Sequence, residues 1–159
     1  MAAKRWTIAP YPAPKPRWPA AKNESYPLDY YRGTETILIV DDEESLRAVL
    51  VDLLGQLGYR ILSAANGDEA IALAEAFSGK IDLLLTDVIM DPLSGPVLAD
   101  TLTRTRPDMK VVFISGYANP SLAPDGVLKP GTVLVNKPFS IKLLSAKLRD
   151  VLESPAPVE

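Results

Sequence analysis

Three carboxylates stand at the ends of short apolar runs: Asp41 and Asp42 follow Thr36-Ile-Leu-Ile-Val40, and Asp87 closes Leu83-Leu-Leu-Thr-Asp87. A lone acid in such a place is more often a turn former than a ligand. Two such runs lying side by side in a parallel sheet change that reading, because their carboxyl ends then bring all three acids into one crevice. Crowded carboxylates repel and resist ionisation until a cation neutralises them. An all-oxygen set suits a hard divalent ion, and Mg2+ is the natural choice. Ser115 ends a further run that begins at Lys110, and offers a hydroxyl to the same crevice. Lys137 follows Val133-Leu-Val135 and precedes Pro138, and offers a cation. Metal, hydroxyl and ammonium are the groups that stabilise the spreading negative charge of phosphoryl transfer. Each part alone is weak, whereas four strand ends supplying Asp-Asp, Asp, Ser and Lys-Pro in that order are much more specific.

The elements that must position these groups alternate along the chain. Strands are expected at 36–40, 60–64, 83–87, 110–115 and around 133–135. Between them, Leu46, Val49, Leu50, Leu53, Leu54 and Leu57 recur at helical spacing, and Gly58 ends that helix. Asn66-Gly-Asp-Glu69 resembles a capping box and opens a second helix. Pro96 suits the first turn of a third, with Leu98, Thr101, Leu102 and Thr105 inward. A last helix shows Leu144, Leu148, Val151 and Leu152 on one face. This alternation, with strands apolar on both faces, argues an α/β fold: a flavodoxin-like, doubly wound five-stranded parallel sheet of order 2-1-3-4-5. Pro120, Pro124 and Pro130 leave the fourth helix, before the last strand, shortened or irregular.

Composition limits the alternatives. With no cysteine and no histidine in 159 residues, disulfides, thiolate or imidazole metal sites and His acid–base catalysis are all excluded. An apolar content of 47% against 23% charged residues is that of a soluble globular protein. No apolar run approaches the roughly 20 residues of a bilayer span, and the first residues lack a signal-peptide core. The expected location is cytoplasmic, with no membrane partner. Residues 1–34 carry a net charge of +4 and residues 35–159 a net charge of −7. An acidic body offers no footprint for nucleic acid.

The basic segment is distinct in other ways. It holds Pro10, Pro12, Pro14, Pro16, Pro19 and Pro27, with Trp6, Tyr11, Trp18, Tyr26, Tyr30 and Tyr31, and shows no periodicity. Residues 1–34 read as a disordered extension or linker. The sharper reading is that the aromatics dock on a partner or on the domain itself.

Residues 35–153 resemble a response-regulator receiver domain, the phosphoacceptor module of two-component signalling. The resemblance rests on Ile37-Leu-Ile-Val-Asp-Asp-Glu43, Leu84-Leu-Thr-Asp-Val-Ile-Met90, Ser94-Gly95, Phe113-Ile-Ser-Gly-Tyr117 and Asn136-Lys-Pro-Phe139. The Ser-Gly-Tyr and Lys-Pro-Phe-Ser segments look most like receivers attached to hybrid sensor histidine kinases. The resemblance implies that Asp87 is the phosphoacceptor. It also implies that Asp42, Asp87 and the backbone carbonyl of Ile89 bind Mg2+ directly and that Asp41 holds it through water. Ser115 and Lys137 would bind the phosphoryl group, and the Lys137–Pro138 bond would be cis. The receiver would span 35–154, with 155–159 as a tail. Its partners would be a histidine kinase or histidine phosphotransfer protein and an unknown output protein. With six residues after Glu153, output is expected by protein contact, or as a phosphate relay or sink. The only catalysis implied is of the domain's own phosphorylation and dephosphorylation.

Two positions depart from the family's pattern. Asp91 replaces the usual proline four residues after the acceptor, with Pro92 one place later. Leu134 replaces the switch aromatic three residues before the site lysine, which throws the burden of any switch on 116–131 and on Tyr117. The resemblance also puts Ile89 and Tyr117 where the family places residues that shield or admit the attacking water, and an apolar pair there should slow hydrolysis. The rival reading is a non-phosphorylated, receiver-like interaction module that works through its N-terminal tail. A haloacid-dehalogenase-type phosphatase would need a second acid where Ile89 stands.

Overall fold

The run Thr36–Val40 forms strand β1 in the interior of a sheet, where both of its faces are buried. Successive side chains go to opposite sides: Ile37 and Ile39 join one apolar cluster, Leu38 and Val40 the other. The computed structural model describes residues 31–116 and 133–155. After β1 come α1 (Glu44–Gln56), β2 (Arg60–Ala64), α2 (Gly67–Ala76), β3 (Leu83–Asp87), α3 (Gly95–Thr105), β4 (Lys110–Ser115), β5 (Val133–Asn136) and α4 (Ile141–Glu153). The strands are parallel in the order β2-β1-β3-β4-β5, the doubly wound α/β arrangement expected from the alternation. The irregular helix expected before β5, together with Tyr117, lies outside the described residues. So do residues 1–30 and 156–159.

Two apolar layers sandwich the sheet. Ala70 and Ala74 of α2 and Leu98, Ala99 and Leu102 of α3 cover one face. Leu50 and Leu54 of α1 and Leu144, Leu148 and Leu152 of α4 cover the other. Each fully buried Leu or Ile contributes at most about 1.5–3 kcal/mol, an upper figure because unfolded chains are partly collapsed.

Helix ends follow local chemistry. Asn66 Oδ1 accepts the Glu69 amide at 2.9 Å, and the Glu69 carboxylate accepts the amide of Ala65, one residue before the cap, at 2.8 Å. The Ser94 and Ser140 hydroxyls accept the amides of Val97 and Leu143 at the starts of α3 and α4. Gly58 turns the chain after α1 with φ +102°, a left-handed conformation that suits glycine.

The helical faces differ from expectation at two positions. Val49 is 50% exposed, because the buried stripe of α1 runs through Leu50, Leu54 and Leu57 and Val49 lies about 100° around the axis from Leu50. Thr105 is exposed on α3. Its neighbour Arg106 turns inward instead, donating to the carbonyls of Ala74 and Phe77 at the end of α2 and to that of Gly79 beyond it. Among the described residues no helix is long and apolar enough to cross a membrane.

The entry segment packs on the domain. Tyr31 is 4% exposed, the Tyr59 hydroxyl donates to its carbonyl at 3.3 Å, and the Gly33 amide donates to Leu57 O at 3.0 Å. Arg149 of α4 closes this end, reaching Glu35 at 2.8 Å, Tyr59 Oη at 3.1 Å and Glu153 at 3.1 Å. A Cβ on Gly33 would fall 2.3 Å from the Tyr59 ring and 2.5 Å from the Arg149 guanidinium, so a larger residue there has to displace these side chains. Burial pushes the Tyr59 phenol up to about 12. Glu35 is held below the usual carboxylate range, because its bonds to Arg149 together with its local backbone bonds outweigh its burial.

Candidate functional site

β1 and β3 are neighbours, with Val40 opposite Thr86, so the residues that follow them emerge together at the carboxyl edge of the sheet. There one carboxylate oxygen from each of Asp41, Asp42 and Asp87 lies within 4.8 Å of the other two. Asp41 and Asp87 are buried and Asp42 is exposed. β4 sets Ile114 opposite Asp87, which puts the buried Ser115 one step further along the same edge. β5 pairs Asn136 with Ser115, and the Lys137 amide donates to Ser115 O at 2.8 Å. From that anchor the Lys137 ammonium extends to 3.4 Å from Asp87 Oδ2 and 3.7 Å from Asp41 Oδ2. Ile89 reaches the Asp87 carboxylate through its backbone amide. The Lys137–Pro138 bond is cis, and so is Asp91–Pro92; Asp91 itself is exposed. Leu134 is half-buried against the cluster shared with α2 and α3.

The charges do not balance. Burial raises the pKa of Asp41 and of Asp87; Lys137 opposes this in both without cancelling it, and in Asp41 the hydrogen bond from the Glu43 amide opposes it too. At such separations two carboxylates repel by roughly 3 kcal/mol at an effective dielectric near 20. Burial pulls the Lys137 ammonium down, yet its carboxylate neighbours more than compensate and leave it above the usual lysine value. Asp41 Oδ1 accepts the Glu43 amide at 2.8 Å, whereas Asp41 Oδ2 is buried with no hydrogen-bond partner. A buried carboxylate oxygen is costly when unsatisfied. That orphaned oxygen, beside two more acids and with one ammonium among them, fits a hard divalent cation with oxygen ligands.

Three further residues shape the site without having been singled out in the sequence. Glu43 precedes α1 but makes no side-chain cap there; its carboxylate lies 3.7 Å from the Lys137 ammonium. Arg47 donates to the backbone carbonyl of Asp41 at 2.7 Å and so fixes the turn that carries the acid pair. Gly95 begins α3 so close to the acceptor strand that a Cβ there would lie 2.1 Å from the Asp87 carbonyl oxygen. Glu43 and Gly95 had a signal, as members of the motifs quoted above, but their contacts depend on folding. Arg47 had none.

An acid cluster at the carboxyl ends of β1 and β3, faced by a lysine after β5, defines a receiver-type site on a receiver-type sheet. The chain belongs to the response regulator receiver domain family, whose model matches residues 37–149. It is 36% identical over 121 residues to the sensor kinase CckA of Brucella abortus (strain 2308), covering 76% of this chain but only 13% of that protein. It is 33% identical over 116 residues to the response regulator receiver protein CpdR of the same organism, covering 73% of this chain and 95% of that one. Among solved structures it resembles the response regulator TrrA of Thermotoga maritima in complex with Mg2+ and BeF. That match has a TM-score of 0.58 and 32% identity, and covers 74% of this chain and 98% of that one.

Proposed function

We propose that this chain is a phosphoacceptor: Asp87 takes a phosphoryl group from the phosphohistidine of a histidine kinase or histidine phosphotransfer protein, and the modified domain changes its affinity for a partner. The observation that carries this reading is the Lys137 ammonium, shared between Asp87 and a buried Asp41 oxygen that accepts no hydrogen bond. Similarity to a sensor kinase and to a regulator solved with Mg2+ and BeF supports the donor class and the ion.

In the step proposed, an Asp87 carboxylate oxygen attacks phosphorus, the P–N bond breaks, and its electron pair leaves with the donor's imidazole. Asp41, Asp42, Asp87 and the Ile89 carbonyl would hold Mg2+. When bound, the ion supplies positive charge to the phosphoryl oxygens and offsets the crowding of the acids. Lys137, already 3.4 Å from Asp87, pairs with one phosphoryl oxygen, and the Ser115 hydroxyl donates to another. Ile89, two residues past the acceptor, is apolar there, which would slow attack by water. We assign the receiver to residues 35–154 and its place of work to the cytoplasm, where such donors carry their histidines.

Intact mass after incubation with acetyl phosphate and Mg2+ tests the reading. One phosphoryl adduct is expected, absent in Asp87→Asn and absent when EDTA replaces the metal. An unmodified wild-type chain overturns it and leaves the interaction-module alternative standing.

A further inference from the structure

Between α1 and β2 lies a groove of about 360 Å3, lined by Glu44, Arg47, Ala48, Val51, Asp52 and Ser63. Ala48 and Val51 give it an apolar floor, and Glu44 and Asp52 give it acidic walls. Arg47, the one cation in the lining, is engaged with the Asp41 carbonyl at 2.7 Å. Three residues before Asp52 on the same helix, Val49 is 50% exposed, which extends the apolar surface beyond the groove. Apart from Arg47, none of these residues takes part in the acid site.

The chain that precedes the domain starts from a fixed point near this groove. Tyr31 is buried, and Gly33 is bonded to Leu57 just past the end of α1. From Leu57 back to Arg47 is ten residues of helix, or about 15 Å. Tyr31 lies thirteen positions after Trp18, enough chain to reach about 40 Å when extended. Around Trp18 stand Lys15, Arg17 and Lys22, with Pro14, Pro16 and Pro19 interleaved. The segment is cationic, aromatic and short of backbone donors; the groove is anionic and apolar.

We propose that Pro14–Lys22 occupies this groove in the same chain, with the Trp18 ring against Ala48 and Val51 and the three cations facing Glu44 and Asp52. Tethering makes this feasible for a weak contact, because a short link within one chain gives an effective concentration on the order of millimolar. Proline also lowers the entropy that docking must overcome. The inference does not depend on phosphorylation of Asp87.

Both tryptophans lie before residue 31, so their fluorescence reports on this segment alone. The full chain carrying Trp6→Phe leaves Trp18 as the single reporter. Its acrylamide quenching constant is expected to be roughly two- to fourfold below that of a synthetic peptide of residues 10–24, as for a mostly occupied tethered contact, and to be independent of protein concentration. Ala48→Arg fills the groove from an exposed helical position that tolerates arginine, and should restore peptide-like quenching. Asp52→Lys should do so through charge, which guards against a folding defect in the first variant. Peptide-like quenching in the Trp6→Phe chain overturns the proposal. So does protection that survives both groove variants, which would put the ring elsewhere, or protection that grows with concentration, which would make the occupant a second copy.

Discussion

Replacing Gly95 with alanine perturbs the acceptor without touching a charged group. An alanine Cβ would stand 2.1 Å from the Asp87 carbonyl oxygen and 3.1 Å from Val88 Cα, whereas ordinary contact begins near 3.4 Å. The gap must therefore open by more than an ångström. The Val88 amide is bonded to Ile114 O at 3.0 Å, which resists movement of the strand end. The Gly95 amide is bonded to Val88 O at 2.8 Å, which resists movement of α3. Overpacking of this kind costs about 1–3 kcal/mol. A misplacement of about 1 Å at a reacting group lowers its rate by up to roughly 100-fold. Urea unfolding gives the first quantity, and the rate of adduct formation from acetyl phosphate, followed by intact mass, gives the second. Gly55→Ala is the control: its Cβ meets nothing within 4 Å, so a gain of about 0.4–1 kcal/mol and an unchanged rate are expected. If Gly95→Ala matched wild type in both measurements, the reasoning would fail. A stability loss with an unchanged rate would refute the positioning half, because α3 would then have yielded while Asp87 stayed in place.

Three more outcomes follow from the electrostatics. Asp41 has a raised pKa, so its folded form holds a proton more tightly than the unfolded chain does, and ionisation costs the fold stability above the unfolded value near 3.9. Asp41→Asn should therefore raise the thermal midpoint at neutral pH without metal, and the gain should vanish as pH falls below about 4; a gain that persisted there would count against the charge argument. Mg2+ should stabilise the wild type by about 2.7 kcal/mol at 100 times its dissociation constant and the variant by less, as read by calorimetry. Arg149→Met strips a buried cation from Glu35 and Tyr59 and should cost about 3 kcal/mol in urea unfolding. Adding Glu35→Gln should recover part of that loss, and strict additivity of the two would show that they do not interact.

Residues that act at strand ends were legible in the sequence, and those that act from helix ends were not. A buried parallel strand must be apolar on both faces, so Ile37–Val40 and Leu83–Leu85 announce themselves, and the acids that close them then share an edge by topology alone. The position of a helical residue around its axis is set by what the helix packs against. Val49 falls within the apolar periodicity of α1 and yet faces solvent, because Leu50, Leu54 and Leu57 had already filled the contact with the sheet. The same uncertainty hid Arg47 and Glu43, whose contacts with Asp41 and Lys137 depend on how the first turn of α1 meets the ends of β1 and β5. Gly95 was visible as a residue, but its requirement is a distance to a backbone atom eight positions earlier. Arg149 and Glu35 lie 114 residues apart, and no local pattern links them. The sequence thus names the groups that do the chemistry, while their placement to within an ångström depends on contacts that exist only once the helices are seated.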